Sequence, residues 1–298
     1  MSARQSRTIG SSGHDGIKRK KLQMIWQFCR FLVVSFVGVG FSASNPSVQA
    51  DLILDEFGVE ARVDFQDYAG AGLEPGGANG RLDSDSWTVF LGSDGETQET
   101  ALGASVGAGL FGRGISSGGL SEAGTYAFET GDGNRALGFQ MGGIEFSNSV
   151  LSLRIRNETD EMVDQLRVTY DVWVLNDSEG TDYFDLEFSD GTNWFDPVLF
   201  ETAAEADEPA EWKKYEQEYD LFLPKFSPYT EGFIDALNPG DDLVIQWSIG
   251  GSYEEPNGYD EVALDNVRVT AVPEPASLSL LLIVLAFGFA WRRKRDGS

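Results

Sequence analysis

Carboxylates are the chief chemical equipment of this chain. Between residues 51 and 271 stand 45 acidic side chains against 11 basic ones, a formal net charge of −34. Oxygen donors at this density can ligate hard cations, and two of them set about 5–10 Å apart can cleave a glycosidic bond. The densest run is "NDSEGTDYFDLEFSDGTNW" (176–194). It lacks the D-x-[DN]-x-[DN]-G-x5-E spacing of an EF-hand loop. Asp185, Glu187 and the Asp190-Gly191 turn fit a solvated strand face instead. No spacing singles out an acid pair, so a carboxylate-dependent glycan hydrolase has no anchor residue here.

Other chemistries are excluded by composition. The only cysteine is Cys29 and the only histidine is His14, both before residue 51. The body therefore has no disulfide, no thiol nucleophile, no imidazole base and no Cys/His zinc site. Its charge repels nucleic-acid phosphates and anionic lipid, which argues against a nucleic-acid partner. Any enzyme here would have to use carboxylates, Lys or Tyr; the expected role is a non-catalytic one, with the carboxylate-dependent glycan hydrolase as an alternative.

Aromatics offer a binding chemistry. A sugar ring stacks its C–H face on an aromatic ring while neighbouring carboxylates accept its hydroxyl hydrogens. Trp194, Tyr253 and Tyr259 fall at turns and are the candidates for such a role. Trp173 and Trp247 fall inside strand patterns and are expected in the core.

The elements that must position these residues are strands. "QLRVTYDVWVLNDSEG" (165–180) alternates, with Leu166, Val168, Tyr170, Val172 and Val174 on one face. "VLSLRIRNET" (150–159), "DDLVIQWSIGG" (241–251) and "EVALDNVRVTA" (261–271) read the same way, and "YFDLEFSDGTNW" (183–194) enters an Asp-Gly turn. "GTYAFETGDGNRALGFQM" (124–141) reads as two strands around a Gly-Asp-Gly-Asn turn, and "ARVDFQDYAG" (61–70) as the first strand. "PAEWKKYEQEYDLF" (209–222) fits either a short helix or an exposed edge strand. The glycine-rich stretches 69–80 and 103–119 read as flexible surface loops. Many short strands without repeats or disulfides predict an all-β, jelly-roll-like β-sandwich.

The two ends read as addresses. "IKRKK" (17–21), the apolar "FLVVSFVGVGFSA" (31–43) and "SVQA" before Asp51 form an export signal with cleavage after Ala50, or alternatively Ala43. At the other end Val272-Pro273-Glu274-Pro275 can continue neither strand nor helix. Ala276–Trp291 is a 16-residue uncharged run, about 24 Å long as a helix. That is a marginal span for a hydrocarbon core of roughly 30 Å. Arg292, Arg293, Lys294 and Arg295 then hold the tail on the cytoplasmic side. The chain thus divides into a signal peptide (1–50), a β-sandwich (51–271) and a C-terminal signal with a transmembrane helix (272–298).

Pro273-Glu274-Pro275, the short apolar helix and the basic end resemble the PEP-CTERM sorting signal of Gram-negative bacteria. The resemblance implies recognition by an exosortase, anchoring in the inner membrane before processing, and delivery to the cell surface or beyond, commonly beside exopolysaccharide. "FQDYAG", "GNRALGFQ", "LSLRIRNETDEMVDQLRVTYDVWV" and "DEVALDNVRVTA" are similar in order to secreted bacterial jelly-roll domains. That likeness implies a structural Ca2+ held by Asp265 on the last strand, with Gln66 or Asp67 from the neighbouring first strand. It also implies, by analogy, a glycan-binding role.

Overall fold

The alternation of apolar and polar residues is realised as strands throughout. The computed structural model describes residues 52–92, 97–141, 148–179, 182–189, 194–203, 205–223, 225–227, 232–234, 236–251 and 259–273, all within the unit Pro46–Ser298. The expected export signal, the apolar tail and its basic end lie outside the described residues. No described helix is long and apolar enough to cross a membrane.

Two seven-stranded sheets account for most of the chain. The first runs β13 (Trp194–Glu201), β12 (Asp182–Ser189), β17 (Asp242–Gly251), β10 (Asn148–Asn157), β5 (Trp87–Gly92), β6 (Thr97–Glu99). β1 (Leu52–Leu54) lies parallel to β10 beyond the end of β5. The second runs β14 (Lys213–Phe222), β11 (Gln165–Leu175), β18 (Glu261–Ala271), β9 (Asn134–Gln140), β8 (Gly124–Gly131), β7 (Ile115–Ser116). β2 (Glu60–Val63) pairs with the far half of β18, so the opening strand of this sheet does lie beside the last. Two small ladders, β3 (Leu73–Glu74) with β4 (Leu82–Asp83) and β15 (Lys225–Ser227) with β16 (Gly232–Ile234), complete the fold.

The sheets face each other across one apolar core, which makes the domain a β-sandwich. Trp87 and Trp247 from the first sheet stack at 6.2 Å, and Tyr170 from the second meets Trp247 edge-on at 5.6 Å. All three are essentially buried. Truncating a buried Trp costs about 3–5 kcal/mol, so these rings fix how the sheets are seated.

Two expectations are corrected, and the choice left open at 209–222 is decided for the edge strand. The segment 61–70 is not one strand, and the sandwich begins earlier, at β1. β2 stops at Val63 because Asp64 turns the chain, its Oδ1 accepting the Gln66 N–H at 3.3 Å. The segment 209–222 resolves as the edge strand β14, where the charged side chains of Lys213, Lys214, Glu216 and Glu218 guard an open edge. The glycine-rich stretches are not independent loops, because they lock onto each other. Leu73 and Val106 exchange both backbone hydrogen bonds, at 2.9 and 2.8 Å, and Gly114 N–H donates to the Gly70 carbonyl at 2.9 Å. Gly72 (φ +95°) tolerates this because any side chain there would overlap the Val106 carbonyl.

Candidate functional site

The outer face of the second sheet gathers the polar and aromatic groups that the core does not use. Period two sets it: Val172 and Val174 point inward, so Asp171 and Trp173 point outward. One transverse row runs Lys214, Trp173, Ala263, Gly138, Tyr126 across five strands. Its floor is small, and the Phe128 ring lies over it, where a Cβ on Gly138 would overlap the ring. Phe128 stacks with Tyr126 at 5.4 Å and meets Trp212 at 5.1 Å. Trp212 is held by its Nε1–H donating to the Ser117 carbonyl at 2.8 Å. Trp173 and Trp212 stay half-buried. Trp173 is therefore an outer-face residue rather than a core one.

The next row brings Asp171 opposite Asp265. A bulge in β18 makes this possible: Thr169 pairs with Arg268 but Asp171 with Asp265, and the extra residue includes Asn266 at φ +50°. Asp265 is fully buried. Its Oδ1 accepts the Asn266 N–H at 2.7 Å, and its Oδ2 accepts Asn134 Nδ2–H at 2.9 Å and Asn266 Nδ2–H at 3.1 Å. Burial pushes its carboxyl up to about 6; the Asn134 and Asn266 donors oppose this, while Asp171 and Asp64 add to it. Asp171 Oδ2 receives Asn266 Nδ2–H at 2.8 Å and faces Lys214 Nζ at 3.3 Å. Asp171 Oδ1 and Trp173 Nε1 are buried without a hydrogen-bond partner among the described residues.

The residues expected around calcium are only partly brought together. Gln66 reaches Asp265 through an intermediary: its Nε2–H donates to Asn134 Oδ1 at 2.7 Å, and Asn134 donates on to Asp265. Asp67 is exposed and makes no hydrogen bond to this group. Calcium requires six to eight oxygen ligands, whereas the groups presented to Asp265 are N–H donors. No set of three or more His, Cys, Asp or Glu among the described residues is disposed to hold a metal ion.

The aromatic candidates fare differently. Tyr259 is 8% exposed and belongs to the main core, so it is a packing residue rather than a ligand platform. Its carbonyl is held by Gln140 Nε2–H at 3.3 Å, which draws the segment before β18 inward. Trp194 opens β13 opposite Ser189 rather than sitting in a turn, and its side chain lies outside the described residues. Tyr253 lies outside them altogether. The groups missed by sequence reasoning are Asp171, Asn134, Asn266 and Glu261. For Asp171 and Glu261 the signal was an acid on a strand in the middle of a sheet, an unusual place to leave a charge.

Glu261 heads β18 and is fully buried. Its Oε1 accepts the Leu120 N–H at 2.7 Å, and its Oε2 is buried and receives no donor among the described residues. Burial pushes its carboxyl up to about 7; backbone N–H groups of the 119–120 segment oppose this, while nearby Asp177 adds to it. Asp177, an exposed acid at the same end of the sheet, is raised by partial desolvation.

An all-β sandwich with this outer face, continuing into a proline-flanked tail, is the class that fold and sequence define. Within it, residues 271–295 match the PEP-CTERM protein-sorting motif, and the chain carries that signal. No curated protein matches the chain. Among solved structures the chain is similar to TmCBM61 in complex with β-1,4-galactotriose, at 17% identity over 49% of this chain and 74% of that one, with a TM-score of 0.27. It is similar to CBM28, a carbohydrate-binding module specific for non-crystalline cellulose, at 18% identity over 51% and 84%, TM-score 0.32. A third likeness is to the CBM22-1–GH10 modules of endo-1,4-β-D-xylanase 10B of Clostridium thermocellum, at 16% identity over 74% and 30%, TM-score 0.31.

Proposed function

We propose that this is an exported, surface-sorted, non-catalytic protein of the cell envelope or extracellular matrix. It is anchored in the inner membrane by its tail until an exosortase-type enzyme acts near Pro273-Glu274-Pro275. The observation that carries this reading is the match to the sorting motif at residues 271–295, beginning at the residue where β18 ends. The test is the C-terminal residue of the mature protein in a Gram-negative host with an exosortase. Processing predicts a terminus near the motif; a mature chain still ending at Ser298 overturns it.

A second reading is favoured by two atoms. Asp171 Oδ1 can accept and Trp173 Nε1 can donate, and both lack partners among the described residues, on one outward face of β11. A sugar hydroxyl both donates and accepts, so it complements this pair, with the Trp173 and Trp212 rings beside it. Lys214, whose side chain is 45% exposed, is the group a ligand would displace. This makes the face a candidate exopolysaccharide site. Migration of the protein through gels containing host exopolysaccharide tests it, with Trp173→Phe and Asp171→Asn alongside. Retardation of wild type that both variants lose supports the site; equal mobility in plain and glycan gels removes it. Running the gels with Ca2+ and with chelator tests the calcium expectation at Asp265 in the same experiment.

A further inference from the structure

Six large apolar side chains stand exposed among the described residues, and they are not spread evenly. Ile115 and Tyr215 lie at opposite edges of the second sheet, in one row through Leu264. Single exposed residues of that kind are ordinary. Met162 (56% exposed), Phe222 (46%) and Val59 (45%) instead all stand at the end of the sheet where β18 stops. Phe222 is the register partner of Gln165 at the start of β11, and Met162 comes three residues before that strand. Val59 comes just before β2, whose Glu60 pairs with Thr270. Three strand spacings separate the strand of Phe222 from that of Val59, about 14 Å. Backbone bonds fix this end: Leu223 N–H donates to the Asp164 carbonyl, Gly58 N–H to the Ala271 carbonyl and Val272 N–H to the Gln165 carbonyl, each at 2.9 Å.

The segments 55–60, 160–165 and 271–273 that build this end hold six acids and no Lys or Arg. Asp55, Glu56, Glu60, Asp160 and Glu161 are exposed. Such a rim opposes an anionic bilayer and suits a protein whose apolar contact is bordered by basic groups. The tail says which protein comes here. The sorting motif begins at Ala271, inside β18. Pro275 is three residues beyond Val272, a reach of about 10 Å at most. Even a 100-residue domain has a radius of gyration of about 13 Å. An enzyme acting at Pro273-Glu274-Pro275 therefore abuts the end of the sandwich while it works. Drawing more tail out of the fold is not open to it, because β18 is paired on both sides.

We propose that this end of the sandwich is a docking surface for the sorting enzyme, with Val59, Met162 and Phe222 as its apolar contact and the acids around them as its rim. The surface rests on the sorting reading above and adds to it a recognition element in the folded domain, outside the motif itself. The contact is short-lived by design, since three half-exposed side chains bury far less than a permanent interface does.

The test is the rate at which the exported full chain is processed in a Gram-negative host with an exosortase, followed by pulse-chase. Val59→Thr, Met162→Thr and Phe222→Thr together keep β propensity and remove the apolar contact. Processing of this triple variant is expected to slow about tenfold while its Tm stays within about 2 °C of wild type. Met162→Thr alone, expected to slow processing about threefold, serves if the triple variant fails to fold. Ile115→Thr, away from this end, should process at the wild-type rate. Inserting about ten Gly/Ser residues between Val272 and Pro273 parts the motif from the surface, and the triple variant should then match its spacer-bearing parent. Unchanged processing in the folded variants overturns the surface. So does a slowing that persists with the spacer, which would assign these side chains to the bilayer or to export. A wild-type chain that is never processed removes the sorting reading itself, and the surface with it.

Discussion

Gly72→Ala should be among the more damaging single-methyl additions to this protein, and the structure says why. Gly72 sits at φ +95°, where an L side chain costs about 1–2 kcal/mol. Its Cβ would overlap the Val106 carbonyl and come within 2.8 Å of the Gly107 carbonyl oxygen. Both are backbone atoms, so relief means separating the two glycine-rich segments. The adjacent Leu73–Val106 pair of hydrogen bonds would then be strained or lost, at about 1 kcal/mol each. Ala also restricts the unfolded chain, which returns about 0.5–1 kcal/mol. The net expectation is a loss of about 2–3 kcal/mol, or roughly 5–10 °C in Tm for a domain of this size. Gly76→Ala is the control. Gly76 has φ +73° but open space around its Cβ, so only the backbone cost applies, about 1 kcal/mol. Thermal and urea unfolding of both variants separates close approach from backbone conformation. Equal losses for the two, or a Gly72→Ala protein within about 0.5 kcal/mol of wild type, would show that the interlock of the glycine segments contributes nothing.

Asp265 should make stability depend on pH. Its folded carboxyl is raised from 3.8 to about 6, so its contribution is full below about 4 and is lost as pH rises to about 6. The loss is about 3 kcal/mol. Urea midpoints across that range should therefore fall more steeply for wild type than for Asp265→Asn; parallel curves would refute the assignment. Tyr259→Ala should cost about 3–5 kcal/mol in unfolding experiments because the ring is in the core. Tyr259→Phe should leave any retention in exopolysaccharide gels unchanged, and a loss of retention would restore Tyr259 as a contact residue. A chain ending at Val272 should melt with the full-length protein, within about 2 °C, since the tail beyond it adds nothing to the ladders of β18.

Much of the sandwich was written in period two. The alternation that sends Leu166, Val168, Tyr170, Val172 and Val174 inward is the one observed, and it also sends Trp173 outward. The parity of its own strand thus puts Trp173 outside the core between the sheets, against the expectation for a strand tryptophan. The sequence marks Asp265 only as a candidate calcium ligand on the last strand; that it is buried, and which groups it meets, was not legible. Asp265, beside the β18 bulge, and the amide of Asn134 sit 131 residues apart in sequence, and no local pattern announces such a pairing. The glycine stretches failed for the same reason. Each alone reads as flexible, and only their mutual approach explains why so many side chains are absent. Glu261 was invisible because its partner Leu120 contributes a backbone N–H, which any residue but proline carries.

The fold and the sorting signal meet in a way that keeps them separable. β18 is an inner strand, paired with β11 on one side and with β9 and β2 on the other. Its last residue is pinned from both directions: the Ala271 carbonyl accepts the Gly58 N–H at 2.9 Å, and the next amide, Val272, donates to the Gln165 carbonyl at 2.9 Å. Pro273 then has no N–H to offer and stands exposed. The ladder thus ends by chemistry, at the residue where the spacer begins. A cut anywhere beyond Pro273 leaves every hydrogen bond of β18 and every core residue among the described residues in place. A tail that emerged from an edge strand would not have this property, because tension or cleavage there could peel the strand from its single neighbour. Ending the domain on an inner strand lets the sorting machinery act on the tail while the sandwich it delivers stays intact.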